Sequence, residues 1–225
     1  MAENKKEQLN VGDALTQSEA FIMKYQKQII GAVVAIAIII AGFFLYKRFY
    51  VEPREVKAQT ALFPGQKYFE GDDYASALNG DKNGYIGFLK VADQYSGTKA
   101  ANLAKAYAGL CYANLGKYVE AAEQLNDFSA DDQLVSPAIK GALGNCFAQL
   151  GKYKQATECL MDAAKQADSP SISPIFLVQA GQIFESQKEF DKALEAYQMV
   201  KDKYFQSYQA MDIDKYIERA TLEKN

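Results

Sequence analysis

Two hydrophobic patterns divide the chain. The first is an uninterrupted apolar run, Ile29–Tyr46, with 18 residues and no charge. As a helix rising 1.5 Å per residue it would span about 27 Å, close to the hydrocarbon thickness of a bilayer. Beyond it, short apolar stretches return at helical spacing between polar ones. The pattern predicts an all-α protein with an N-terminal transmembrane helix.

A cleaved signal peptide is the alternative for the apolar run. Its apolar region would be about 7–15 residues long, followed by small residues at the cleavage site. Here the run ends in large side chains and continues with Lys47 and Arg48. The sequence therefore favours an uncleaved anchor at residues 29–46, after a polar tail at 1–28. Because proline disfavours helix for the residue before it, Pro53 predicts a linker at 47–55.

The charges beside the run do not fix its orientation. Lys24 and Lys27 precede it, and Lys47, Arg48, Arg54 and Lys57 follow it. By the positive-inside rule this is nearly a tie that leans towards a cytoplasmic C-terminal domain. Charge alone leaves the side of the membrane open.

The second pattern is a ten-residue phrase that recurs. It reads YANLGKYVEA at 112–121, FAQLGKYKQA at 147–156 and FESQKEFDKA at 184–193. The offsets of 35 and 37 residues match a helix–turn–helix unit that is too small to bury its own apolar face. Repeat positions are counted below from Asn102, Pro137 and Pro174.

Five repeat positions agree across the three copies. Small residues at positions 8 and 20 allow close helix crossings, rings fill positions 11 and 17, and position 15 requires the positive φ of a turn. In this order the residues are Gly109, Gly144 and Gly181 at position 8; Tyr112, Phe147 and Phe184 at position 11; Gly116, Gly151 and Lys188 at position 15; Tyr118, Tyr153 and Phe190 at position 17; and Ala121, Ala156 and Ala193 at position 20.

This pattern resembles the tetratricopeptide repeat (TPR) over three repeats at residues 102–207. It departs from that family at position 4, where Lys105 and Lys140 replace a large apolar residue, and at Lys188. The resemblance implies an α-solenoid of antiparallel helix pairs. The expected pairs are about 99–115 with 118–129, 137–150 with 153–166, and 174–187 with 190–204.

Two segments flank these repeats. Residues 56–101 are predicted to form a degenerate first repeat with an enlarged loop, helices at 56–70 and 85–95, and position 20 near Gly87. Residues 208–225 are predicted to form a capping helix that uses Met211, Ile213, Tyr216 and Ile217. Helix caps are expected at Thr98, and at Ser136 and Ser173, each of which precedes a proline.

Composition excludes several function classes. A net charge of −3 argues against a nucleic-acid partner, which would require clustered positive charge. The chain has no histidine, so Ser–His and Cys–His pairs and histidine metal sites are excluded. Asn79–Lys90 resembles a calcium loop, but Lys90 stands where the bidentate glutamate belongs. We predict no catalytic, cofactor or metal site.

Two of the three cysteines are interpreted as packing residues. Cys111 and Cys146 share repeat position 10, a small buried position, and Cys159 lies in no paired spacing. The redox compartment stays undecided.

First helices of a solenoid line its concave groove, here through repeat positions 2, 5, 9, 12 and 13. The candidate protein-binding residues are Leu103, Leu110, Asn114, Asn145, Gln149, Val178, Gln182 and Glu185. None of the fifteen groove positions is basic, so a clamp for an acidic tail is not expected. The groove suits an extended or helical polypeptide segment. The alternative, that the protein's own C-terminal helix fills part of it, stays open.

The arrangement of tail, single span and small TPR domain resembles the YfgM-like ancillary subunits of the Sec translocon. The resemblance implies a single-pass inner-membrane protein with periplasmic repeats and no enzymatic activity or small-molecule substrate. Its implied partners are translocon subunits, a periplasmic chaperone and nascent secreted chains. Two alternatives remain: a cytoplasm-facing TPR adaptor for an envelope complex, and an enzyme accessory whose groove holds a glycan or lipid.

Overall fold

Helices and short connections make up the part of the chain that the structure describes. The computed structural model describes the backbone of residues 11–225, and the side chains of Phe21 and of residues 23–225. No strand occurs within this range. The chain divides into two compact units, and the boundary between them in the sequence falls between Pro53 and Arg54.

The first unit contains one long helix, α1 (Val11–Tyr46). Every side chain of the apolar run is exposed within it, as expected of a segment that would face lipid. By length and composition this helix is able to cross a membrane. The predicted polar tail is helical from Val11, and residues 1–10 lie outside the described residues.

The predicted linker at 47–55 is helical instead. Lys47–Val51 forms a π-helical turn, in which the Glu52 N–H donates to the Lys47 carbonyl five residues back, and α2 (Glu52–Glu70) follows. Proline lacks an N–H and clashes with the carbonyl four residues before it. The wider π turn directly before Pro53 relieves both problems, so the helical backbone continues past the proline.

The second unit is a TPR-like α-solenoid of helix pairs. Its remaining helices are α3 (Tyr74–Asn79), α4 (Phe88–Gln94), α5 (Lys99–Asn114), α6 (Tyr118–Asn126), α7 (Val135–Gln149), α8 (Tyr153–Ala167), α9 (Ser173–Ser186), α10 (Phe190–Lys203) and α11 (Ile213–Lys224). A short 3-10 helix, Gln209–Met211, precedes α11. Each of α5 to α10 begins and ends within about three residues of its prediction.

The close crossings predicted from repeat position 8 are present. A Cβ on Gly109 would lie 2.6 Å from Leu125 Cγ, and one on Gly181 would overlap the ring of Tyr197. Side chains cannot be accommodated there, because the second helix of each pair already fills the space.

The turn within each pair is a Schellman motif, in which a residue with positive φ lets two N–H groups cap the first helix. At Gly116 (φ 71°) the Lys117 N–H donates to the Tyr112 carbonyl at 2.9 Å and the Gly116 N–H to Ala113 at 3.1 Å. Gly151 and Lys188 repeat this pattern.

The same motif recurs at Asp72 and corrects the register of the first repeat. Asp72 has φ 58°, and the Asp73 N–H donates to the Tyr68 carbonyl at 2.9 Å. Position 20 is therefore the fully buried Ala77, not Gly87. Gly65 takes position 8, where a Cβ would overlap the side chain of Tyr85.

An inserted loop splits the second helix of this repeat into α3 and α4. The loop spans residues 80–87, so the predicted loop at 71–84 is partly helical and the helix predicted at 85–95 begins at Phe88. Asp81 Oδ1 accepts from the backbone N–H groups of Asn83 and Tyr85, both at 2.9 Å, and Asp81 Oδ2 accepts from the Tyr68 hydroxyl. The backbones of Gly80 and Gly87 touch. The calcium-like segment is thus closed by its own hydrogen bonds.

The cap at Thr98 is confirmed, since its hydroxyl accepts from the Ala101 N–H at 3.0 Å. The Ser-Pro caps were wrong. Ser173 Oγ is buried and donates to the Ala164 carbonyl at 2.8 Å. For α7 the cap is Asp132, whose carboxylate accepts from three N–H groups, among them that of Ser136. Both serines instead bond to α8: Ser136 accepts from the Gln166 amide of its own pair, and Ser173 donates to the Ala164 carbonyl of the preceding pair.

The C-terminal helix α11 packs on the last helix pair. Ile213 and Ala220 are buried there, and Tyr216 and Ile217 pack against the same core cluster. Met211, predicted as part of this cap, is exposed instead.

Candidate protein-binding groove

The candidate groove is the face formed by the first helices of the pairs, α2, α5, α7 and α9. In a helical solenoid such a face is continuous, because equivalent side chains repeat at each pair. Four predicted residues are open on it: Asn114, Asn145, Gln149 and Gln182. All four carry side-chain amides, which donate and accept hydrogen bonds.

Three predicted groove residues are half-buried and form only part of the open groove surface. Leu103 packs against the core clusters of both the first and the second helix pair, and Leu110 packs against the second. Val178 packs against the last cluster. Their main contacts hold neighbouring pairs together, and only part of each side chain is open to the groove.

Glu185, also a predicted groove residue, is covered by α11. Its side chain is 8% exposed. Arg219 donates to both of its carboxylate oxygens, at 3.0 and 2.6 Å, and the Tyr197 hydroxyl donates at 2.7 Å. Burial disfavours the carboxylate, but the hydrogen bonds from Arg219 and Tyr197 outweigh it, so the pKa of Glu185 lies below its ordinary value. The protein's own C-terminal helix therefore occupies this end of the groove.

The face continues onto α2, which sequence reasoning missed. Gln59, Phe63 and Gln66 line a depression of about 350 Å³ between α2 and α5, together with Lys99 and Leu103. The signal was available, because Tyr68–Ala77 reads YFEGDDYASA and repeats the ten-residue phrase at an offset of 44 residues. The inserted loop lengthened that offset and concealed the register.

The carboxylate at the rim of this depression, that of Glu55, already accepts two backbone hydrogen bonds. Glu55 accepts from the backbone N–H groups of Lys99 at 2.7 Å and Ala100 at 3.0 Å. It therefore caps α5 from the neighbouring helix. Across α2 and α5 the open part of the face presents mainly amides and apolar side chains.

Cys111 and Cys146 lie in the core, where packing residues were predicted. Cys111 and Cys146 are buried, and Cys159 is half-buried. Burial raises the pKa of Cys111 to about 12 and also raises those of Cys146 and Cys159. At neutral pH these thiols are protonated and unsuited to nucleophilic chemistry.

Comparisons with known proteins bear on the fold. No protein-family model and no curated protein matches this chain. Five chains of known structure are similar to it. One is MamA, whose crystal structure matches with a TM-score of 0.51 at 19% sequence identity, over 71% of this chain and 94% of MamA. Together with the recurring turns, this likeness establishes a TPR-like all-α helical-repeat fold.

Proposed function

We propose that this chain is a non-enzymatic, membrane-anchored TPR-like scaffold that binds polypeptides along its groove. The observation that carries the proposal is the run of exposed amide side chains on α5, α7 and α9, without a cation on the exposed candidate positions. These amide positions offer hydrogen-bonding capacity without charge, and Lys99 adds one cation at the start of α5. This surface therefore fits the backbone of a polypeptide better than an acidic tail or a phosphate.

The spacing of the groove fits an extended chain. Neighbouring helices pack about 8–10 Å apart. The first helices α5 and α7 are separated by α6, so an extended chain, which advances about 3.3 Å per residue, would meet successive first helices at intervals of more than about three residues. One amide from each pair, such as Asn145 on α7 and Gln182 on α9, would bond its backbone. Half-buried Leu103 and Leu110 would contact the side chains between.

A charge-insertion experiment tests the groove. In Asn145→Glu with Gln149→Glu, two exposed amides become acids without disturbing the core. Gln155→Glu with Gln198→Glu makes the same change on the second helices α8 and α10 and is the matched control. Crosslinking in native membranes, followed by identification of the neighbours, should lose polypeptide partners only in the groove variant. If both variants keep the same partners, the groove is not the binding surface.

A further part of the proposal concerns the cellular location of the repeats and their binding partners. The apolar helix and the resemblance to YfgM-like subunits support a single-pass inner-membrane protein with periplasmic repeats. Translocon subunits, a periplasmic chaperone and nascent secreted chains are the expected partners. Labelling of Asn225→Cys in intact cells by a reagent that cannot cross the inner membrane would support a periplasmic location of the repeats. Protection of that cysteine in intact cells would favour the cytoplasm-facing adaptor.

A further inference from the structure

Two edges can be distinguished within residues 54–225. Each first helix of a pair starts at the edge that carries the connections between pairs, here called the connector edge: the start of α2 and residues 95–98, 127–134, 168–172 and 204–212. Hydrogen bonds join neighbouring parts of it: Arg54 to Gln94 O at 3.2 Å, Asn102 to Ser129 O at 2.8 Å, Gln166 to Asp132 O at 3.2 Å, and Tyr204 to Asp168 Oδ1 at 3.1 Å. The Schellman turns lie on the opposite edge, here called the turn edge.

The connector edge carries an exposed apolar patch on its last segment. Phe205, Tyr208 and Met211, here called the connector patch, are 67%, 81% and 78% exposed. They recur every third residue along a segment of turns that ends in the 3-10 helix Gln209–Met211. No other segment of 54–225 carries three large apolar side chains as exposed as these.

Most charges around the connector patch are paired. Lys203 pairs with Asp168 and Lys201 with Asp214, both at 2.7 Å. Lys215 pairs with Asp212, and Asp202 accepts from the Gln198 amide. Further along the same edge lie the carboxylates of Asp93, Asp127, Asp131 and Asp132. A partner of this patch is thus selected by apolar contact and not by positive charge.

Chain length limits the distance between the start of the connector edge and the anchor. Arg54, on this edge, follows Tyr46, the last residue of the apolar run, by eight residues. Eight residues reach at most about 28 Å even when fully extended. If the run spans a bilayer, as proposed above, Arg54 at the start of this edge lies within that distance of the end of the anchor.

We propose that the connector patch contacts the lipid surface of the membrane in which the chain is anchored. The inference rests on the proposed membrane anchor. Phenylalanine and methionine enter the acyl boundary, and tyrosine places its ring there with its hydroxyl at the headgroups. The second unit then lies with its connector edge along the bilayer, and its groove is open to polypeptides travelling parallel to the membrane.

The chain contains no tryptophan, so a single introduced tryptophan is a unique fluorescent reporter. Tyr208→Trp is compared with Val119→Trp, an exposed position on the turn edge, and with Ile39→Trp in the apolar run. Each full-length variant is reconstituted into phosphatidylcholine vesicles with and without brominated lipid. Brominated lipid should quench Tyr208→Trp and Ile39→Trp about twofold and leave Val119→Trp unquenched.

The outcomes separate this inference from the anchor on which it depends. Quenching of Ile39→Trp without quenching of Tyr208→Trp overturns the lipid contact and leaves the anchor standing. Loss of quenching at both positions overturns both. A blue-shifted but unquenched Tyr208→Trp means that protein covers the patch, and this also overturns the proposal. Met211→Trp replaces Tyr208→Trp if circular dichroism shows that the latter is misfolded.

Discussion

The docking of α11 gives the sharpest test of the packing described here. In Arg219→Met the Glu185 carboxylate loses two hydrogen bonds and keeps only the one from Tyr197. An exposed ion pair contributes about 0–1 kcal/mol, whereas breaking a buried pair costs about 3–5 kcal/mol. Here the carboxylate is 8% exposed and the guanidinium 50%, an intermediate case. We expect Arg219→Met to destabilise α11 docking by about 2 kcal/mol.

Hydrogen exchange read by mass spectrometry on the full-length protein in detergent measures this docking. A loss of about 2 kcal/mol corresponds to roughly 30-fold faster exchange of the α11 amides, because every 1.4 kcal/mol is tenfold. Lys215→Met is the matched control, since Lys215 and its partner Asp212 are both exposed. If Arg219→Met accelerates exchange no more than Lys215→Met does, the buried carboxylate does not hold α11 and the reasoning fails.

The pH dependence of α11 docking follows from the lowered pKa of Glu185. Because the folded value lies below the unfolded value of about 4.3, this contribution is fully present above that pH. It is lost as the pH falls through the folded pKa. The protection factors of the α11 amides in the wild type, which correct for the intrinsic pH dependence of exchange, should therefore fall below about pH 4. Glu185→Gln should lack this component, and an equal loss of protection in both proteins would contradict it.

Three further predictions concern the repeats. Gly65→Ala should destabilise the second unit by about 1–2 kcal/mol in urea unfolding, because overpacking against Tyr85 and Phe88 outweighs the better helix propensity of alanine. Lys188→Gly should stabilise the protein by up to about 1 kcal/mol, since φ is 59° there; a destabilised variant would show that the side chain of Lys188 matters more than its backbone. Cys111, with a pKa of about 12, should react with iodoacetamide at pH 8 only after unfolding, and rapid native labelling would contradict its burial.

Much of the helix-pair architecture was predictable because its determinants are local. Ring, glycine and alanine recur at fixed spacing, and a positive φ at Gly116 follows from the absence of a side chain there. The N-cap at Thr98 depends only on the next three residues. Such features need no knowledge of the remainder of the fold.

What was missed depends on contacts distant in sequence. Ser136 and Ser173 have the local pattern of caps, yet the hydroxyls of both bond to α8, about 30 and 9 residues away in sequence. Glu185 occupies a groove position, but Arg219, 34 residues later, covers it. The helix through Pro53 depends on a π turn that no propensity predicts. In each case tertiary geometry determines which hydrogen bonds a side chain makes.

The inserted loop in the first repeat has a practical consequence. Because the backbones of Gly80 and Gly87 approach each other closely, the loop between them leaves the solenoid and returns to the same point. Within the loop Tyr85 is buried and Ile86 packs against the core, so only the exposed tip at residues 82–84 can change while the helical segments on either side keep their positions. A fluorescent tag or an affinity peptide could therefore be inserted at this tip without shifting the register of the neighbouring helix pairs.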